Sequence, residues 1–144
     1  MLIGEYLHII DPKKRLSLPA KFRKELGKNV IVTRGLDHCL FVFPLAAWKR
    51  LVTKMGELSM GAPESRGFNR FMLAGATEAE VDTAGRLLMP DYLKDFASLG
   101  TKVVLAGVSD RIEIWDEKRW EAYKADIEGK GDAMAEKLGQ LGVI

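Results

Sequence analysis

The chain has 144 residues, 47% of them hydrophobic and 29% charged, and a formal net charge of +2. Such a composition excludes wholesale disorder and supplies a buried core for one compact unit or two small ones. No run of eighteen apolar residues exists, so no membrane-spanning helix is expected.

The opening stretch MLIGEYLHIIDPKK carries an acid where an export signal needs basic residues, and no cleavage site follows, so export is not expected. The lone cysteine, Cys39, excludes an intramolecular disulfide framework and fits a reducing cytoplasm. Charge is unevenly spread. Residues 1–56 hold eleven Lys/Arg and four acids, a balance of +7, which leaves −5 for the rest. That asymmetry points to a polyanionic partner for the first part, with a solvated basic face as the plain alternative.

In chain order, an apolar segment at 6–10 leads into Asp11 and the stretch DPKKRLSLP. A turn there predicts a short strand, Leu16-Ser17-Leu18. Pro19 suits the first turn of a helix, where a missing N–H costs nothing. The helix is AKFRKEL, with Phe22 and Leu26 at apolar spacing, and Gly27 stops it. Strands Val30–Thr33 and Leu40–Phe43 form a hairpin around GLDH. A helix carrying Trp48, Leu51, Val52 and Met55 follows. Gly56–Pro63 reads as a loop. Glu64–Ala76 reads as a helix with Phe68, Phe71 and Met72 on one face, and Arg66 and Arg70 sharing another.

The pattern then starts again. DTAGRLLMP opens at Asp82 and predicts the strand Leu87-Leu88-Met89. Pro90 starts the helix DYLKDFASL, with Leu93 and Phe96 as its apolar positions and Gly100 as its stop. Strands Lys102–Leu105 and Arg111–Trp115 flank GVSD. A last helix carries Trp120, Tyr123 and Ile127. EGKGD at 128–132 breaks the chain before a short C-terminal helix.

This is an internal repeat. Asp11 and Asp82 are 71 residues apart, as are Arg15 and Arg86, Leu16 and Leu87, Leu18 and Met89, and Pro19 and Pro90. Past the next helix the spacing becomes 72, matching Val32 with Val104, Gly35 with Gly107, Leu40 with Ile112, Val42 with Ile114 and Trp48 with Trp120. The chain divides into a first repeat (1–56), a connecting loop and helix (57–76), a second repeat (77–128) and a C-terminal helix (129–144). A lone hairpin is marginal in water. Two copies interleaved into one closed, pseudo-two-fold barrel would hide their strand edges. The expected class is therefore α+β, with flanking helices.

An Asp at the end of a strand can accept N–H bonds from the turn it opens and pair with an Arg returning on the next strand. In DTAGR, Gly85 supplies a positive φ without a Cβ. DPKKR has Lys14 there, so either its turn differs or Lys14 bears strain. A structural clamp is one role for Arg15 and Arg86. Contact with nucleic acid is the other, favoured at Arg15 because Lys13 and Lys14 adjoin it.

The ordered set DPKKRLSLP, LDHCLFVFPLAAW, SRGFNRF, DTAGRLLMP and GVSDRIEIW resembles the MraZ family, built from two SpoVT-AbrB-type repeats, over nearly the whole chain. The resemblance implies a bacterial, nucleoid-associated transcriptional regulator of the division and cell-wall gene cluster, cytoplasmic, with an AbrB-like barrel. It implies binding to short direct repeats in double-stranded promoter DNA, with subunits in a ring. Carried over by matching motif, Arg15 and Arg86 are the signature arginines, with Asp11 and Asp82 as their loop partners. Beside them, the charge of Lys13 and Lys14 makes these expected DNA-binding residues, and Gly85 is expected to orient its loop. The family usually has Gly where Lys14 stands.

Nothing else in the chain suggests chemistry. His8 and His38 sit singly, without metal-site spacing. Cys39 lacks a Cys-His signature and reads as packing. Phosphate loops, nucleophile elbows and metalloprotease helices are missing. Neither an enzyme nor a cofactor is expected. Trp48 and Trp120 read as packing residues, and Arg66 and Arg70 as an interface or a solvated pair. The competing function is an antitoxin-like or protein-assembly module on the same barrel.

Overall fold

Period-two alternation puts Val30, Val32, Leu40 and Val42 on one face of the first hairpin. In the computed structural model, which describes residues 1–144, all four are fully buried. The elements are β1 (Leu2–Ile9), β2 (Arg15–Ser17), α1 (Ala20–Leu26), β3 (Asn29–Arg34), β4 (Leu40–Pro44), α2 (Leu45–Gly56), α3 (Pro63–Asn69), β5 (Thr77–Glu80), β6 (Arg86–Leu88), α4 (Asp91–Phe96), β7 (Lys102–Ser109), β8 (Ile112–Asp116) and α5 (Glu117–Gln140). The class is α+β, and every strand pairing is antiparallel.

The six-stranded sheet has the order β1-β7-β8-β4-β3-β5, and β2 pairs with β6 in a separate ribbon. Exchanging the copies, β1 for β5, β3 for β7 and β4 for β8, reads the same order backwards. Each copy's lead strand pairs with the other copy's hairpin, so neither copy is a separate body. In the ribbon, Leu16 lies opposite Leu87, flanked by the pairs Arg15 with Leu88 and Ser17 with Arg86. Twenty buried residues from both copies form one core between ribbon and sheet. The other face of the sheet buries Phe41, Phe43 and Trp115 with Ala47 and Met55 of α2, and Trp48, Trp120 and Tyr123 pack around them. Both faces are covered, so strands such as Val30–Thr33 read as continuous apolar runs.

β1 and β5 end the sheet, and a bridge of Ile10 with Leu16 joins sheet to ribbon. Several expectations are corrected. Val30 lies opposite Pro44 and Val103 opposite Asp116, so β3 and β7 are offset by 73 residues while β4 and β8 keep 72. Val32 therefore corresponds to Leu105. A one-residue slip flips the face, and Val104 points to the side of α5. Pro19 and Pro90 precede their helices as N-caps. Gly27 ends α1 at φ 78°, but α4 ends at Phe96, and Ser98, not Gly100, takes the left-handed conformation at φ 51°.

The expected helix at 64–76 is α3 followed by a π-helical turn, Arg70–Ala74. That turn directs the Met72 carbonyl to Thr33 Oγ1 at 2.6 Å, satisfying the one buried polar side chain. α5 runs without interruption through 128–132, so the boundary expected after 128 falls inside a helix.

Gly107 faces Gly4 across β1 and β7. A Cβ on Gly107 would lie 2.6 Å from Ile3 N and Leu2 C, backbone atoms held by the sheet. Gly107→Ala is expected to destabilise the fold by about 1–3 kcal/mol, the usual range for overpacking. Urea unfolding checks this as a lower midpoint at unchanged slope.

Candidate nucleic-acid interface

The two Asp-x-x-x-Arg stretches fold into the same turn. Asp11 Oδ1 accepts the amides of Lys13 and Arg15, each at 2.9 Å, and Oδ2 accepts Arg15 Nε at 2.9 Å. Asp82 Oδ1 accepts the amides of Ala84 at 3.0 Å and Arg86 at 2.8 Å, and Oδ2 accepts Arg86 Nε at 2.9 Å. Backbone bonds match as well: Lys14 N donates to Asp11 O, and Gly85 N to Asp82 O, both at 2.9 Å. These donors hold both carboxyls below the usual aspartate range, the Arg15 or Arg86 amide acting most strongly.

Lys14 adopts φ 63° where Gly85 has 78°. The first turn is thus not different, and Lys14 carries the strain of a left-handed L-residue, about 1–2 kcal/mol. Gly85 has a second requirement. A Cβ there would sit 2.2 Å from Cζ of Arg23, whose guanidinium lies over the turn while its Nε donates to Leu18 O at 2.8 Å. Lys94 stands 71 residues after Arg23 and lines the equivalent groove with Asp11, Pro12 and Lys14. The turns are also tied across the copies: Met89 N donates to Lys14 O at 2.7 Å, and Leu18 N to Gly85 O at 2.9 Å.

The ribbon register sets what faces outward. Leu16 and Leu87 point into the core, so Arg15, Ser17, Arg86 and Leu88 share the opposite face. Each arginine side chain is 32% exposed, and its Nε is committed to its aspartate. The Nη groups make no hydrogen bond within the chain and remain available as a two-donor fork. Lys13 is exposed and unpaired. Lys14 Nζ instead meets Asp91 at 2.7 Å in a well-exposed pair, which is worth little energetically but offsets part of its charge. The structure thus brings Arg15 and Arg86 onto one face, with Lys13 beside the first turn. Arg23, Lys94, Ser17 and Leu88 join the two turns and the ribbon face and were not singled out by sequence. The 71-residue match of Arg23 with Lys94 was the available signal for the first two.

The remaining candidates take structural places. His38 stacks on Phe96 with centroids 6.1 Å apart. Cys39 is fully buried, its thiol donates to Leu36 O at 3.2 Å, and burial raises its pKa strongly. Trp48 packs 5.5 Å from Phe43, and Trp120 packs 5.4 Å from Trp115. Arg66 closes its own loop through the carbonyls of Met60 and Gly61. No three His, Cys, Asp or Glu side chains converge as a metal site would require, and no helix is long and apolar enough to cross a membrane.

The chain matches the model of a family described as "MraZ protein, putative antitoxin-like" twice in succession, over residues 1–71 and 72–138. It is 49% identical to a protein of Desulfitobacterium hafniense over 143 residues, covering 99% of this chain and 100% of that one. It is 46% identical to a Moorella thermoacetica protein over 96% of each chain. A Caldicellulosiruptor saccharolyticus protein is 46% identical over 99% of this chain and 100% of its own. All three relatives bear the name "Transcriptional regulator MraZ".

Two predictions concern the turns. Lys14→Gly relieves strain but adds freedom to the unfolded chain and removes the Asp91 pair, so a net stabilisation of about 0.5–1 kcal/mol is expected. Lys14→Ala keeps the strain and gains nothing; equal stabilities of the two variants in urea refute the assignment. The second concerns acid. Because Asp11 and Asp82 titrate below their usual value, their contribution is complete above about pH 3.9 and is lost as pH falls through the lower folded values. Melting temperatures of Asp11→Asn/Asp82→Asn are expected to fall less steeply below about pH 4 than those of the parent.

Proposed function

This chain belongs to the MraZ family, and on that premise we propose that it is a sequence-specific DNA-binding transcriptional regulator. Its family is one of transcriptional regulators, not enzymes. The observation that carries the reading is the pair of clamped turns, which hold two arginine forks on one face of the β2–β6 ribbon. A fork fixed through Nε presents two parallel donors, the geometry that meets guanine O6 and N7 in the major groove. Lys13, Arg23 and Lys94 supply charge for phosphates on either side. Asp11, Asp82 and Gly85 act on DNA through the arginines they position.

The resemblance extends the proposal to short direct repeats in the promoter of the division and cell-wall gene cluster, to a cytoplasmic, nucleoid-associated location, and to a ring of subunits around a barrel-like core. Charge supports the ring. Helix α2 presents Lys49, Arg50 and Lys54 and no acid, whereas the equivalent first twelve residues of its counterpart α5 balance Lys118, Arg119 and Lys124 against Glu117, Glu121, Asp126 and Glu128. The copies are interleaved, so the asymmetry lies between equivalent surfaces and not between two lobes. Unlike surfaces favour head-to-tail contacts, which close into rings when the rotation allows. A ring presents several weak sites to repeated DNA and gains avidity. The antitoxin-like wording of the family description favours a second reading, a protein-assembly module on the same fold.

Preference for the chain's own promoter fragment over unrelated duplex at the same salt concentration separates the two readings, since non-specific attraction to phosphates gives no such preference. Arg15→Ala is expected to weaken binding to that fragment by about 1–3 kcal/mol. Arg86→Ala should cost less, because Ala84 and Gly85 replace Lys13 and Lys14 beside it. Electrophoretic shifts compare the two. Lys13→Ala should make the logarithmic salt dependence shallower by about 0.9 for each phosphate it no longer neutralises, and Lys14→Ala less so, given its bond to Asp91. Light scattering after size exclusion tests the ring. A mass several times 16.1 kDa is expected, and a 16.1 kDa monomer at both low and moderate salt refutes it.

A further inference from the structure

The four outward side chains of the ribbon are symmetric in charge and asymmetric otherwise. Exchanging the copies maps Arg15 onto Arg86, but it maps Ser17 onto Leu88. Leu88 is 63% exposed. Isolated exposed leucines are ordinary. This one is set apart by its place, directly across the ribbon from Arg15 and on the face of both forks.

Dimensions relate this array to DNA. A major groove about 12 Å wide admits a two-stranded ribbon, and a three-residue strand spans about 10 Å. Residues directly opposite each other across the ribbon lie about 4.5–5.5 Å apart, between one and two base-pair steps of about 3.4 Å each. A fork on one guanine therefore places its ribbon neighbour over an adjacent base pair. Beside Arg86 that neighbour is Ser17, whose hydroxyl donates or accepts and so discriminates weakly. Beside Arg15 it is Leu88, which can do neither. On the major-groove edge only the C5-methyl of thymine offers it an apolar surface.

We propose that Leu88 is a specificity-determining residue that contacts the C5-methyl of a thymine next to the base read by Arg15. Ser17, in the equivalent place, leaves the other half of the unit without that preference. Two identical forks about a pseudo-dyad read a palindrome. With Leu88 on one side and Ser17 on the other, the recognised unit has a direction. Directional units can follow one another head to tail along DNA, as subunits joined by unlike surfaces do around a ring. This inference rests on the DNA-binding reading of the same face.

Selection of bound duplexes from a random pool, run on the full-length protein, Leu88→Ser and Ser17→Leu, tests it. The parent is expected to enrich an asymmetric unit with a thymine preference at one position. Leu88→Ser should lose that preference, and Ser17→Leu should gain one at the mirrored position. Replacing the preferred thymine by deoxyuridine removes only the methyl. Parent affinity should then fall about fourfold, the worth of one apolar carbon withdrawn from water, while Leu88→Ser is unaffected. If the parent enriches no sequence, the DNA-binding reading itself fails. If the parent enriches a unit but Leu88→Ser enriches the same one, or if deoxyuridine weakens both proteins equally, the inference about Leu88 is overturned and the DNA reading stands. A smaller assembly mass for Leu88→Ser, measured by light scattering, assigns Leu88 to a subunit contact and overturns it as well.

Discussion

Leu16 and Leu87 meet at the centre of the ribbon, and the molecule depends on that meeting. Each strand of the ribbon is three residues long, and neither could persist alone. Paired, they seal one side of a core whose other wall is the sheet. Burying two leucines contributes roughly 1.5–3 kcal/mol each. The amides of Leu18 and Met89 then close onto carbonyls of the opposite turn. The packing of one copy is thereby completed by the other, and the turns are fixed by the same bonds that fix the core.

That arrangement explains why a single motif serves stability and recognition together. The aspartate satisfies two turn amides with one oxygen and restrains Arg Nε with the other. A restrained arginine loses less rotamer freedom on binding, a saving of the order of 0.5–1.5 kcal/mol per side chain. Its exposed Nη groups are left for an external acceptor. These donors hold the carboxylates below the usual aspartate range, so each fork keeps a charged partner at neutral pH.

Much of this was legible in the residues. The 71-residue spacing gives the repeat, the clamped turns and their equivalence, and AKFRKEL is α1 as read. The 73-residue offset of β3 and β7 was not legible, because both faces of those strands are apolar and periodicity cannot assign a face. Ser98 rather than Gly100 takes the left-handed conformation after α4 because the Leu99 amide reaches back to Lys94 O, while Gly100 N is taken by Asp116. Gly129 and Gly131 each cost about 1 kcal/mol inside a helix. No tertiary contact draws that exposed segment elsewhere, and the Asp126–Lys130 pair spans the place where a break was expected. The outward face of the ribbon required the register, since strands of three residues hold too little alternation to identify it.

The two turns also record how such a chain can change. In a symmetric dimer of separate chains, every substitution appears on both sides of the axis. Joined in one polypeptide, the sides are inherited as separate sites. Lys14 opposite Gly85, and Arg23 opposite Lys94, are single replacements with no mirror image. The ribbon and the lead strands β1 and β5 keep the spacing of 71, and it changes to 73 and then 72 only through the loops before β3 and β7 and the hairpin turns after them. Fusion thus relieves the two halves of an obligation to remain identical, and drift is confined to places where the shared core does not enforce the match.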